Sequence, residues 1–387
     1  MDIIENGQGF LRQNLHGDMA YASFCPAPLA SVAPLSLDDS AARLLAKCSL
    51  KLGELQGSLS FVPNAPQYLA MYVRKEALVS SQIEGTQCTF DDILDPRLAN
   101  RSADVTDVVA YVRALNHATQ RLSELPLCIR LLRETHRELL QGTRGAERNP
   151  GLVRTSQNWI GTGGCGLSQA AFVPPNIEDM TSALIDLEAF MNDDRETDPL
   201  IKAALIHYQF ETIHPFLDGN GRLGRLLITL SLMNDGVLSQ PLLYPSYQLK
   251  LRRSEYYDQL MNVRRTGSYA SWVSFFCACM LAAAEDGLES IHSLASLHEE
   301  SLRKINVGLG RTALNGHAML SLLEECPLLD VTFATERLGL SRTTVANLMK
   351  SFVEMGILQT LNEGRSRYRI YGYEPYLKIL RRGASPL

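Results

Sequence analysis

With 387 residues, 45% of them apolar, and a net charge of −5, the chain is long enough for two or three domains with a sizeable core and offers no global attraction to nucleic acid. Its eight cysteines are scattered and none forms C-x-x-C, which argues against a disulfide framework or a zinc site and fits a reducing cytoplasm. No apolar run approaches the ~20 residues of a membrane helix, and the first residues show no basic segment leading into an apolar one, so neither a membrane partner nor a secretory signal is expected.

Residues 1 to about 37 are broken by Pro26, Pro28 and Pro34 and read as an extended arm over the body. A helix follows Asp38-Asp39-Ser40, with Leu44, Leu45, Cys48 and Leu52 on one face. Another starts near Asn64-Ala-Pro66, where proline suits the first turn, and runs to Ile83 before Gly85. Glu84 closes it, at the end where the helix dipole disfavours negative charge, and a broken local rule points to function.

Two more helices are predicted over 104–122 and 128–141; their His117 and His136 have no spacing partners for a metal and read as packing or surface residues. From Gly151 to Pro175 short apolar pieces surround a glycine-rich run, Gly161 to Gly166, a pattern that suits a β-hairpin or a plain connecting loop. Helices over 178–192 and 199–213 lead into His214-Pro-Phe-Leu-Asp218-Gly-Asn-Gly221-Arg222-Leu-Gly-Arg225.

Apolar residues recur at helical spacing on both sides of this run: Ile206, Phe210 and Ile213 before it, Leu223, Leu226, Leu227 and Leu230 after it. Two helices therefore meet at a glycine-rich turn, and a helix N-terminus behind such a turn is a ready anion site. His214 can move a proton near neutral pH. Asp218 is a hard oxygen ligand suited to Mg²⁺. Gly219 and Gly221 let backbone approach phosphate oxygens without a Cβ in the way. Arg222 and Arg225, three apart, can face one side and pair with phosphate. Base, metal ligand, anion nest and cations fit nucleotide phosphate transfer better than other reaction classes. Gly219 to Gly224 also matches the loose G-x-G-x-x-G of dinucleotide folds, but that reading needs a preceding strand and the pattern here is helical.

Beyond the motif, Ser254-Glu-Tyr256-Tyr257 opens a helix, and 269–302 reads as one or two core helices rich in Phe, Cys and Ala. A change of domain is expected near Gly308: residues 303–387 hold twelve Lys/Arg and seven Asp/Glu, a net of +5 against −10 for the rest. Helix 317–325, Thr332 to Leu338, a turn at Gly339, a helix capped by Ser341, and a basic alternating segment with Arg365, Arg367 and Arg369 follow. This order resembles a winged helix with Arg342, Thr343, Thr344 and Asn347 on its groove-facing helix, and both DNA contact through 317–370 and a protein-packing role suit it.

The run from His214 to Arg225 resembles the signature of Fic-domain proteins, His-x-Phe-x-(Asp/Glu)-Gly-Asn-Gly-Arg-x-x-Arg, with every defined position present. The resemblance implies a mainly all-α fold: a Fic helical bundle with a small β-hairpin flap, joined to the winged helix-turn-helix-like end. It divides the chain into an arm and inhibitory-helix region over 1–100, a catalytic domain over 101–302 and the winged-helix-like domain over 303–387. It implies transfer of AMP from ATP to a Ser, Thr or Tyr hydroxyl of a target protein, and of the chain itself.

In that scheme His214 is the base and Asp218 holds Mg²⁺. Gly219, Asn220, Gly221, Arg222, Leu223, Gly224 and Arg225 form the nucleotide site, and the flap pairs with an extended piece of the target. The run Ser80-Ser-Gln-Ile-Glu84-Gly85 resembles the family's inhibitory motif, which would pair Glu84 with Arg225. Tyr256 and Tyr257 would approach the adenine. Transfer of another phosphate-containing group, AMP removal, or a DNA-binding regulator whose Fic body senses ATP are the alternatives, and a homodimer is a further partner expectation.

Overall fold

The computed structural model describes residues 8–17, 20–32, 34–62, 64–94, 102–161, 164–193, 197–361 and 369–386. In chain order the elements are β1 (Gly9–Asn14), β2 (Tyr21–Pro26), α1 (Asp39–Ser58), α2 (Ala65–Ile83), α3 (Phe90–Leu94), α4 (Ala103–Leu122), α5 (Ile129–Leu140), α6 (Ile177–Met191), α7 (Pro199–Ile213) and α8 (Asn220–Asn234). Then come α9 (Ser246–Leu251), α10 (Arg253–Thr266), α11 (Tyr269–Leu309), α12 (Ala313–Glu325), β3 (Leu328–Leu329), α13 (Val331–Leu338), α14 (Arg342–Glu354), β4 (Gln359–Thr360), β5 (Tyr371–Gly372) and α15 (Glu374–Leu380). The fold is mainly α-helical, as the sequence predicts.

The chain forms two compact units. One comprises Met1–Gln56 with Val109–Ala284, the other Gly57–Val108 with Glu285–Leu387. This differs from the division expected from charge and composition. α11 is one helix of 41 residues that runs through Gly308 without a break. Gly308 is no linker there; a Cβ on it would lie 2.8 Å from Met355 Sδ, so the glycine admits a close neighbour. Residues 57–108 group with the C-terminal part because α2 packs against α12 and α15, and because Gln82 Nε2 donates to the carbonyl of Ala384 at 2.9 Å.

The first unit is organised on α7. Asp198 caps its start, accepting from the N–H groups of Leu200 and Ile201, and Pro199 fills the first position. From Ala203 to Ile213 every residue is buried, so α7 is a central helix enclosed on all sides rather than an amphipathic surface one. It packs on α8 and α6. The predicted arm is a β-hairpin, with β1 and β2 antiparallel from Gly9↔Pro26 to Asn14↔Tyr21. It is fastened by a bidentate Arg12–Asp179 pair at 2.5 and 2.8 Å, and by the Phe24 N–H, which donates to the Val173 carbonyl at 3.0 Å. The first part of α11 contributes buried Trp272, Phe276, Cys277, Cys279 and Met280.

In the second unit Asp330 caps α13 by accepting from Phe333 N–H, and Gly339 ends it in the left-handed conformation (φ 65°). Ser341 caps α14 through Thr344 N–H at 3.1 Å, as the sequence predicts. β3, β5 and β4 form a three-stranded antiparallel sheet in that order. Leu320, Leu323, Ala334, Val345, Met349, Phe352 and Ile357 fill the core beneath. The expected basic turn, including Arg365 and Arg367, lies outside the described residues.

The helical stretch Tyr269–Glu325 is apolar and long enough to cross a membrane by length and composition alone, but more than half of its most apolar window is buried in the fold, as in a core helix. The sequence reading of 269–302 as core helices agrees with that burial. All eight cysteines are free thiols.

Candidate active site

The motif sits where α7 ends and α8 begins, within the first unit. α7 is stopped by His214 itself, which takes the left-handed conformation (φ 50°, ψ 60°) while its N–H still donates to the Phe210 carbonyl at 3.0 Å. A non-glycine residue in that region is sterically disfavoured, so it persists only where surrounding bonds fix it. Those bonds are present on its carbonyl, which accepts from Arg154 Nε and from Asn158 Nδ2, each at 3.1 Å.

The next turn is closed by Asn220. Its Oδ1 accepts from Phe216 N–H at 2.9 Å and its Nδ2 donates to the Phe216 carbonyl at 2.8 Å. Asn158 Nδ2 donates to that carbonyl as well, at 2.9 Å. Phe216 is buried and stacks on the imidazole of His136, with centroids 3.8 Å apart. Asn220 thus spends its side chain on the loop, and the loop delivers Asp218 and α8 in fixed register to His214.

Asp218 is the most accessible part, with its side chain 45% exposed. Its Oδ1 accepts from Gly219 N–H at 2.6 Å, and Arg222 Nη2 lies 3.8 Å away. A Cβ on Gly145 would come within 2.7 Å of Asp218 Oδ2, so a side chain there would displace the carboxylate. Gly219 is the N-cap of α8 at φ 78°, a conformation glycine adopts without a Cβ penalty. The first N–H groups of α8 follow it, and such groups have no partner inside their own helix. Arg222 and Arg225 are both buried on that helix. Leu223 is fully buried, which leaves only its backbone for a ligand.

Three residues outside the motif hold it. His136 on α5 is fully buried; its Nε2 donates to the Asp218 carbonyl at 2.9 Å and its Nδ1 accepts from Gly151 N–H at 2.8 Å. Burial pushes its pKa down to about 4, against the raising effect of the Asp218 carbonyl, so it is a neutral imidazole with both nitrogens engaged. The sequence reading of His136 as a packing residue holds, and the structure adds the loop bonds. Arg154, also buried, donates to the carbonyls of His214, Ser156 and Pro175, and its own N–H donates to the Pro215 carbonyl at 2.9 Å. Burial lowers its pKa to about 10, still cationic at neutral pH. Asn158 is the third. Sequence reasoning missed Arg154 and Asn158 because they bind main-chain oxygens 56 to 60 residues away, which leaves no spacing to read.

A further buried histidine braces α8 from behind. His207 Nδ1 donates to the Gly224 carbonyl at 2.8 Å, and its Nε2 accepts from the Tyr256 hydroxyl at 2.9 Å. Burial, assisted by Arg225, drives its pKa down to about 3, against the raising effect of the Gly224 carbonyl. Tyr256 is therefore a core residue, 1% exposed, with its hydroxyl on His207, whereas Tyr257 keeps its ring 40% exposed. A Cβ on Gly224 would lie 2.2 Å from Glu211 Oε1, so the carboxylate would have to move.

The hairpin expected after Gly151 is reduced to one antiparallel bridge, Ile160↔Phe172, with hydrogen bonds of 2.9 and 3.1 Å. Trp159 is 42% exposed beside it, its indole N–H on the Cys165 carbonyl at 2.9 Å. Residues 162–163 of the glycine run lie outside the described residues. In the second unit Glu84 is the C-cap of α2, exposed, with its N–H on the Ser81 carbonyl at 3.0 Å and Gly85 following at φ 99°.

His214, Asp218 and the arginine-bearing N-terminus of α8 meet at one loop of this helical bundle. Comparison with known proteins gives the family. The Fic/DOC family matches residues 126–232, and the Fic/DOC family N-terminal matches residues 42–120. Over these residues the chain carries a Fic/DOC domain and the N-terminal region of that family.

Among curated relatives, Protein adenylyltransferase fic-1 of Caenorhabditis elegans is 30% identical over 174 residues, 44% of this chain and 31% of that protein. Protein adenylyltransferase Fic of Drosophila grimshawi is 28% identical over 244 residues, 59% of this chain and 47% of that protein. The chain thus spans less than half the length of these relatives. Of solved structures, a Fic family protein from Desulfovibrio desulfuricans G20 superposes with a TM-score of 0.55 at 21% identity, over 88% of this chain and 97% of that one. A Fic domain containing signaling protein from Bacteroides thetaiotaomicron gives 0.50 at 20% identity, over 65% and 97%. These two establish the likeness of fold.

Proposed function

We propose that the chain transfers AMP from ATP to a hydroxyl side chain of a protein. The observation that carries this is the loop between α7 and α8. It fixes His214, Asp218 and the N-terminus of α8 in one rigid turn, with Arg222 and Arg225 on the helix behind. The relatives named as adenylyltransferases favour AMP over other phosphate-containing groups.

In this reading His214 takes the proton of the acceptor hydroxyl as its oxygen attacks the α-phosphorus. The new P–O bond forms while the bond from the α-phosphorus to the bridging oxygen breaks, and pyrophosphate leaves. The N–H groups at the start of α8 receive the charge that develops on the α-phosphate. Arg225 orients the γ-phosphate and Arg222 supports the loop. Tyr257, with its exposed ring, is the better placed of the two tyrosines for adenine.

No group of three or more metal-binding side chains occurs among the described residues. Mg²⁺ in phosphate-transfer sites uses one or two carboxylates with substrate phosphates and water, and the half-exposed Asp218 carboxylate fits that demand. When bound there, the ion would neutralise charge across the phosphates. Glu84 restrains the reaction in this proposal, on the strength of its motif at the end of α2. The test is mass spectrometry of target proteins after incubation with ATP: AMP added by Glu84→Gly and none when His214→Ala is combined with it supports the reading, and a different added group, or none from Glu84→Gly, refutes it.

One surface favours a second reading. α14 exposes Arg342, Thr343, Asn347 and Lys350, which suits a DNA-binding regulator. A gel shift with genomic fragments, with and without ATP, separates the two: shifted DNA and no transfer would favour the regulator.

A further inference from the structure

We propose that Arg154 is the positioning residue of the catalytic loop, tying both feet of the flap to the backbone of His214, with Asn158 completing the bracket. The proposal rests on the reading of His214 as the base.

The bracket acts on the backbone of His214. Its left-handed conformation ends α7 and sets the direction in which the imidazole leaves the helix. Among the described residues, the Arg154 guanidinium bonds go to main-chain carbonyls. Nε serves His214 at 3.1 Å, Nη1 serves Ser156 at 3.3 Å and Nη2 serves Pro175 at 2.5 Å. Ser156 precedes the Ile160–Phe172 bridge and Pro175 follows it, so one planar group joins the two feet of the flap to the base.

The bracket is itself anchored. Gly151, three residues before Arg154, is held at both ends by α5: its N–H donates to His136 and its carbonyl accepts from Arg133 Nε at 2.9 Å. Asn158 reaches the carbonyls of His214 and Phe216 from the rising side of the flap. A buried arginine needed only for packing would not have to aim all three arms of its fork at oxygens of these particular segments. Lysine keeps the charge but has one compact ammonium on a flexible stem, and cannot reproduce the fork.

The experiment compares Arg154→Lys and Asn158→Ala on the Glu84→Gly background with their parent. ATP affinity, kcat, KM for ATP and the backbone chemical shifts of His214 are measured. The proposal expects kcat to fall about 10- to 100-fold, as for a misplacement of about 1 Å. ATP affinity and KM stay within about twofold, and the His214 shifts leave the left-handed range. Unchanged kcat and unchanged shifts in both variants overturn it, as does a loss confined to ATP affinity.

If the parent transfers no AMP, the functional reading fails. The His214 shifts then still decide whether the bracket exists. Should Arg154→Lys fail to fold, Asn158→Ala, which removes two hydrogen bonds and no charge, decides alone.

Discussion

Replacing His207 by phenylalanine tests how the rear of α8 is braced, and its sign reverses with pH. The ring is fully buried and lies roughly parallel to Tyr256 and Trp272, with centroids 5.9 and 6.0 Å apart, so phenylalanine keeps that arrangement. It removes the acceptor of the Tyr256 hydroxyl and the donor to the Gly224 carbonyl. Losing these two buried hydrogen bonds costs about 1–3 kcal/mol together. At pH 7.5 the variant should therefore be less stable by about 2 kcal/mol, and His207→Phe with Tyr256→Phe should recover much of that.

Acid works the other way. The folded-state pKa of His207 is depressed to about 3, below the 6.5 of the unfolded chain. Between those values the unfolded state binds the proton and the native state does not. The contribution is thus fully present above pH 6.5 and is lost as pH falls toward 3. By pH 4.5 the wild type has lost about 3 kcal/mol through this group, at 1.36 kcal/mol per unit. Phenylalanine carries no such loss, so the stability curves should cross near pH 5. Urea unfolding followed by circular dichroism from pH 7.5 to 4.5 reads this directly. A difference between the two proteins that stays constant across the range would refute the assignment of His207 as a buried neutral bridge.

Two other substitutions follow from close approaches. Gly224→Ala would drive a Cβ to 2.2 Å from Glu211 Oε1; it should cost about 1–3 kcal/mol in thermal unfolding, as overpacking does, and lower transfer activity through the displaced α8. Gly145→Ala would place a Cβ 2.7 Å from Asp218 Oδ2; the Mg²⁺ concentration for half-maximal transfer should rise several-fold in a titration, while stability changes by less than about 1 kcal/mol.

The parts of the site that were legible in the sequence are those whose partners lie close along the chain. His214, Asp218, Gly219 and Arg222 lie within nine residues, and the spacing alone put them at a helix–turn–helix corner. The caps were equally readable: Asp198 before Pro199, Gly339 after α13 and Ser341 before α14. What stayed hidden is the support. His136, Arg154 and Asn158 act on carbonyls, which have no side-chain identity and so no pattern, across separations of 82, 60 and 58 residues. Tyr256 and Tyr257 look alike in sequence, and only the position of His207 makes one a core residue and leaves the other exposed. A glycine beside a charge shift reads as a linker, whereas Gly308 makes room for Met355 inside an unbroken helix, so the compact units divide the chain elsewhere.

The central claim is that His214 drives AMP transfer and that Glu84 holds it back. Incubating the parent, Glu84→Gly, and Glu84→Gly with His214→Ala in lysate with α-labelled ATP tests both parts together. The account predicts weak labelling of proteins by the parent, labelling about tenfold or more stronger by Glu84→Gly, as loss of a roughly 1.4 kcal/mol restraint or more would give, and none when His214 is also removed. Equal labelling by the parent and Glu84→Gly, or labelling that survives His214→Ala, would contradict it.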